Sequence, residues 1–278
     1  MSHLRAARVG LTLVCWTLLL IGPQYLARVL PGAPARRFGD AVGRLFLRGV
    51  AQLIGIRIER RGGPAPARPL LYVANHMSWL DIVVLGGLSD TRFVARHDMA
   101  DWPLFGLFAK LHRSVFVERR VSQTIKGRDD LLQSLRSGDA VTLFPEGQAG
   151  DGNRVMRFRS SFLAVAEVFD GAAPLTVQPI SIAFTHLGPM PLGYDRRHFY
   201  AWVGDTPLGG HLWRVLGLGR ATCVVEYHPP TRLLPGESRK ALTNRLHAAV
   251  GAGLARANAG RLEPVPAAAT AATKLEAG

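Results

Sequence analysis

A histidine and an aspartate five residues apart are the most reactive pairing in this 278-residue chain. They bound the run His76-Met77-Ser78-Trp79-Leu80-Asp81, which follows Asn75 and the apolar stretch Leu70–Ala74. On one continuous helix, residues five apart diverge by about 140°. His76 and Asp81 therefore meet only if His76 lies in a loop and Asp81 in the first turn of a helix. The sequence supplies that break: Ser78 is a good N-cap, and an acid three positions on completes a capping-box pattern. Two readings follow. In one, Asp81 caps a helix and His76 is a solvated loop residue. In the other, neutral His76 removes a proton from a hydroxyl while Asp81 holds its second ring nitrogen. The residue types alone leave both open.

Two further runs place polar groups where an apolar strand stops. Val141-Thr142-Leu143-Phe144 ends at Pro145, followed by Glu146 and Gly147. Proline ends central pairing, and the glycine permits a tight turn with exposed N–H groups. Val115-Phe116-Val117 ends in Glu118-Arg119-Arg120. The bland alternatives are a mere turn and a solvated charge pair. Elsewhere the chain lacks G-x-G-x-x-G, a P-loop, a G-x-S-x-G elbow and H-E-x-x-H, and its nine histidines lack metal-ligand spacing.

The elements that must carry these residues alternate. Expected strands are Ile56–Arg60, Leu70–Ala74, Arg92–Ala95, Ser114–Glu118, Ala140–Phe144, Thr176–Phe184, Phe199–Val203 and Thr222–Tyr227. Expected helices are Trp79–Leu88, Trp102–Leu111, Ser122–Arg136, Phe158–Phe169, His211–Leu216 and Ser238–Ala257. Such alternation predicts an α/β fold, a mostly parallel central sheet flanked by helices, with reactive groups at the carboxyl ends of strands.

Asn75-His76-x4-Asp81, Phe116-Val117-Glu118-Arg119, Phe144-Pro145-Glu146-Gly147 and Val177-Gln178-Pro179-Ile180, in that order, resemble the four motifs of the glycerolipid acyltransferases. They resemble in particular the 1-acyl-sn-glycerol-3-phosphate acyltransferases, and the resemblance covers about residues 38–230. The resemblance implies transfer of a fatty acyl chain from acyl-CoA or acyl-carrier protein to a lysophospholipid hydroxyl, with no cofactor and no metal. It implies catalytic roles for His76 and Asp81, and substrate-binding roles for Arg119, Glu146 and Gly147. Arg119 would take the acceptor phosphate, since a guanidinium binds phosphate through two parallel bonds. Glu146 would hold an arginine or an acceptor hydroxyl, and N–H groups around Gly147 would stabilise the oxyanion. The chain departs from the pattern at Arg113, where a glycine is usual, and at Gln148-Ala149-Gly150. The run Asp151-Gly152-Asn153-Arg154 with Phe158-Arg159-Ser160-Ser161 resembles the lyso-ornithine lipid acyltransferases. The expected acceptor is thus 1-acyl-sn-glycerol-3-phosphate, giving phosphatidic acid, with lyso-ornithine lipid as the alternative. A hydrolase using a similar base on water is a further alternative.

The net charge is +14, and residues 1–80 hold eleven arginines against two acids. That charge raises a nucleic-acid-binding or non-catalytic lipid-binding role. No recognition module accompanies it, and most of it flanks apolar segments, so no nucleic-acid partner is expected. Val9–Gly22 is uncharged and would reach about 21 Å as a helix, short of the roughly 30 Å of a bilayer core. Arginines lie on both sides of it. Phe38–Ile56 repeats apolar residues at helical spacing, with Arg44 and Arg48 on another face. The expectation is an anchor over 1–56 and a catalytic domain over 57–262. Residues 263–278 would form a flexible tail. The anchor would meet membrane lipids at the cytoplasmic face of the inner membrane, either dipping into one leaflet or spanning once. Two cysteines without C-x-x-C fit a reducing compartment.

Overall fold

The computed structural model describes residues 1–96, 115–117 and 125–262. Its strands are β1 (Ile56–Arg61), β2 (Leu70–Ala74), β3 (Arg92–Arg96), β4 (Val115–Val117), β5 (Ala140–Leu143), β6 (Thr176–Leu187), β7 (Met190–Pro191) and β8 (Ala221–Tyr227). Its helices are α1 (His3–Val29), α2 (Ala33–Ile54), α3 (Leu80–Leu88), α4 (Ile125–Arg136), α5 (Ala164–Val168), α6 (Leu208–Leu218) and α7 (Arg239–Asn258). The sheet order is β1-β8-β6-β2-β5-β3-β4, with β7 on the far part of β6. Neighbours run parallel except β6 with β8 and β6 with β7. This is the expected α/β architecture.

β2 occupies the centre. Leu70, Tyr72 and Ala74 face one core with α2, α3 and α6, whereas Leu71 and Val73 face another with α4 and α7. All five residues are buried, as a strand covered on both faces requires. β2, β3, β4 and β5 run parallel, so their carboxyl ends open on one edge.

Three expectations change. Phe199–Val203 is not a strand. A 3₁₀ turn covers Tyr194–Phe199, and Tyr200 and Ala201 turn inward without pairing. A short apolar run does not distinguish the two states. Phe158–Phe169 is a 3₁₀ turn over Ser160–Leu163 and then α5. The first helix is 27 residues long and continues through Pro23, where Val9–Gly22 alone was expected to be apolar helix. At about 1.5 Å per residue it reaches about 40 Å, so its length does not forbid a span. The expected helix over Trp102–Leu111 and the tail 263–278 lie outside the described residues.

α1 and α2 form an antiparallel hairpin. The Trp16 indole donates to the Phe46 carbonyl at 3.1 Å. A Cβ at Gly49 would stand 2.4 Å from that ring, so glycine is what lets the two backbones approach. Both free ends of the hairpin are tied to the body. The Ser2 N–H donates to Gly217 O at 3.0 Å. The Arg5 guanidinium donates to Leu216 O, in the last turn of α6, and to Ile54 O, the last residue of α2, the latter at 2.8 Å. One cation thus satisfies carbonyls at two helix C-termini, where the backbone is unpaired and the dipole negative. Replacing Arg5 with Ala should destabilise the fold by about 1.5–3 kcal/mol. Lys should restore only part of that, since an ammonium does not fork to both carbonyls. Thermal unfolding of the detergent-purified variants checks this, and an unchanged Arg5→Ala melting curve would count against the double cap.

Candidate active site

β2 ends at Ala74, and the chain leaves the sheet there. The Asn75 side chain takes the place of the departing backbone. Its amide accepts from Ile182 N–H at 2.8 Å and donates to Ile182 O at 2.9 Å. His76 follows as the first residue free of the ladder. Its Nδ1 lies 2.8 Å from Asp81 Oδ2. The same oxygen accepts the N–H groups of Met77 at 2.6 Å and Ser78 at 2.9 Å. Capping and orienting are therefore one arrangement: the carboxylate closes the entry to α3 and holds the imidazole with the same atom.

The Asp81 side chain is 1% exposed and that of His76 is 22% exposed. A carboxylate facing Nδ1 fixes the proton there and leaves Nε2 with its lone pair. The ring stacks on Phe144, with centroids 4.3 Å apart and planes 21° apart. That contact restricts ring rotation and shields one face from water.

Glu146 is 3% exposed. Its Oε1 accepts the His76 N–H at 2.7 Å and its Oε2 the Met156 N–H at 2.8 Å. The His76 carbonyl accepts the Gly150 N–H at 2.9 Å. Among the described residues these backbone groups, not an arginine, are what Glu146 holds. It joins the β2 turn to the loop after β5. Burial pushes its pKa up to about 7, against the two N–H bonds that favour the charged form. A carboxyl raised in the folded state stabilises the fold below its unfolded pKa and loses that contribution as pH rises through about 7. Glu146→Gln removes this titration. The melting-temperature difference, variant minus wild type, should rise from pH 4.5 to about 7 and then level off. A difference independent of pH, measured by scanning fluorimetry, would contradict the assignment.

Gly147 has φ +73, the left-handed region that favours glycine. Its N–H closes the turn onto Phe144 O at 3.1 Å, so it is not a free oxyanion donor. A Cβ there would lie 3.5 Å from the Arg159 guanidinium carbon. Arg159 thus stands at the turn beside Glu146, a residue whose place the spacing of the motifs does not reveal. Arg119 lies outside the described residues. β4 ends at Val117 on the same sheet edge as His76.

Gln178, in the fourth motif, is structural. It accepts from Ala65 N–H at 2.8 Å and donates to the Gly63 and His228 carbonyls at 3.0 Å. Ser181 and His228 also meet, with Oγ and Nε2 2.6 Å apart, but both are buried. The Ser181 hydroxyl donates its one proton to Val250 O at 2.9 Å. His228 must then donate to Ser181, which is the reverse of nucleophile activation.

A strand-end histidine whose second nitrogen is held by a buried carboxylate, on a mostly parallel sheet, is an arrangement able to take a proton from a hydroxyl. The profile of the family described as Acyltransferase matches residues 57–183, which include that site. The chain belongs to this acyltransferase family. It is 37% identical to a lyso-ornithine lipid O-acyltransferase of Brucella abortus, over 94% of this chain and 98% of that protein. It is 36% identical to another of that name from Rhizobium meliloti, over 97% and 94%. A 1-acyl-sn-glycerol-3-phosphate acyltransferase of Neisseria meningitidis is 27% identical, over 74% and 77%. The fold matches the crystal structure of the 1-acyl-sn-glycerophosphate acyltransferase PlsC from Thermotoga maritima, with a TM-score of 0.65 at 17% identity, covering 91% of this chain and 92% of that one.

Proposed function

We propose that this acyltransferase O-acylates lyso-ornithine lipid, with acyl-CoA or acyl-carrier protein as the thioester donor. The observation that carries the acceptor is the pair of near full-length relatives of that name, at 37% and 36% identity. This reverses the order expected from the motifs, in which 1-acyl-sn-glycerol-3-phosphate stood first. The proteins of that second name share less of the chain.

The site supports the chemistry. His76 Nε2 takes the acceptor hydroxyl proton as the oxygen attacks the thioester carbonyl. The imidazolium that forms is stabilised by Asp81, 2.8 Å from Nδ1. Collapse of the tetrahedral intermediate breaks the carbon–sulfur bond, and the thiolate recovers the proton from Nε2. The substrate hydroxyl stands where a serine hydroxyl stands in a protease, so no acyl-enzyme is needed. An ornithine headgroup carries a carboxylate, which Arg159 at the Gly147 turn is suited to pair with; Arg119 is assigned to the same headgroup from its motif.

The anchor reading rests on the hairpin. α1 exposes Leu4, Leu11, Val14, Leu18, Leu19, Tyr25, Leu26 and Val29, an apolar face that water does not favour. α2 carries Arg36, Arg37, Asp40, Arg44 and Arg48. A segment with that charge does not cross hydrocarbon. With Ser2 and Ile54 both tied to the body, the hairpin lies in one leaflet, on the cytoplasmic side where the thioester donor is made.

Membranes containing the protein, given labelled acyl-CoA or acyl-carrier protein and each lysolipid in turn, test the acceptor. Lyso-ornithine lipid should be acylated at least tenfold faster than 1-acyl-sn-glycerol-3-phosphate, about 1.4 kcal/mol in the transition state. The opposite ratio would restore the first expectation, and release of free fatty acid alone would favour the hydrolase.

A further inference from the structure

Between His76 and Asp81 stands Trp79, whose side chain is buried against His211 of α6. Its indole N–H donates to His211 Nδ1 at 3.1 Å. Both residues are buried, His211 at 2% exposure. The rings meet edge to face, with planes 88° apart. Because Nδ1 accepts, the proton of the neutral His211 ring sits on Nε2. Burial lowers the pKa of His211 to about 4, so the acceptor is present throughout the neutral range.

His211 lies on α6, and α6 is fixed at its other end. Gly217 O holds Ser2, Leu216 O holds Arg5, and the Trp213 indole donates to His3 Nδ1 at 3.1 Å. A second strand of contacts runs beside it: Trp202 N–H donates to Met77 O at 2.8 Å. The turn between His76 and α3 is therefore held by α6 through Trp79 as well as by Glu146 through the His76 N–H.

We infer that His211 is a positioning residue for acyl transfer, setting the start of α3, and with it Asp81 against His76, through the Trp79–His211 hydrogen bond. The inference rests on the acyl-transfer reading of the site. No bond is made or broken at His211. Its contribution is geometric: an indole tethered at its nitrogen fixes Trp79, and Trp79 lies two residues before the carboxylate that orients the base. A displacement of about 1 Å at such a position is felt in turnover, because the base must reach the hydroxyl proton.

The test compares His211→Leu, which fills the volume without an acceptor, with His211→Asn, whose Oδ1 stands near the position of Nδ1. Trp79→Phe and the double variant Trp79→Phe/His211→Leu complete a cycle. Expected is a fall in kcat of about tenfold to a hundredfold for His211→Leu with KM within about twofold. His211→Asn should recover most of it, and the double variant should be no worse than the poorer single one. In parallel, the proton that His76 Nδ1 shares with Asp81 is followed by NMR in labelled full-length protein; its resonance should move in His211→Leu and return in His211→Asn. Equal losses in the Leu and Asn variants, additive losses in the cycle, or an unmoved His76 resonance would overturn the inference. A wild-type protein that transfers no acyl group defeats the functional reading instead, while the resonance still reports on the positioning.

Discussion

His76→Ala should lower acyl transfer by about 10²–10⁴-fold, the usual contribution of a positioned general base. The ring is partly exposed, and its removal leaves the backbone bonds of residue 76 to Glu146 and Gly150 intact. The variant should therefore fold and bind membranes as wild type does, with the loss in kcat and little change in KM. Phe144 loses its stacking partner, a smaller effect that touches stability more than turnover. Purified variant and wild type, assayed at equal folded concentration with a saturating thioester, provide the measurement. Turnover within a factor of a few of wild type would remove His76 from the mechanism.

Asp81→Asn should be almost as damaging to turnover, about 10²–10⁴-fold, because a neutral amide lacks the charge that stabilises the imidazolium. It differs from the histidine variant in also weakening the fold. Among the described residues, Asp81 Oδ2 accepts three hydrogen bonds and the buried Oδ1 none. An amide keeps one oxygen for the Met77 and Ser78 N–H groups but places an NH₂ in a pocket without an acceptor, at a cost of about 1–3 kcal/mol. A solvated first-turn acid would show a change under about 1 kcal/mol. Circular dichroism melts alongside the transfer assay separate the cases: a stable, active Asp81→Asn would mean that the residue only caps.

The meeting of His76 with Asp81 was legible as one of two readings because it is local: a strand end, a helix cap and a five-residue spacing allow it, and the structure chooses it. The parallel sheet was legible from alternation, and β2 from five apolar residues in a row. What the sequence hid is what depends on remote partners. Glu146 reads as an acid in a turn that would hold an arginine or an acceptor hydroxyl, and only the approach of two loops shows that it is buried under the N–H groups of His76 and Met156. Tyr200 and Ala201 are as apolar as a strand requires but find no strand to pair with. α1 continues through Pro23, and Ala27 beyond the proline packs close to Gly39 of α2. Local propensity yields there to packing.

The amide of Asn75 closes its two hydrogen bonds on a residue 107 positions further along the chain. The shape of the catalytic turn is thus contingent on a late arrival. A nascent chain that has emerged only as far as β5 holds His76 and Asp81 within a few residues of each other, but lacks the strand that receives Asn75. The entropy of closing so long a loop must be met before that contact forms. The chain therefore completes its reactive centre only after β6 has docked, so partially synthesised copies on the ribosome should be inert toward the acyl thioesters around them.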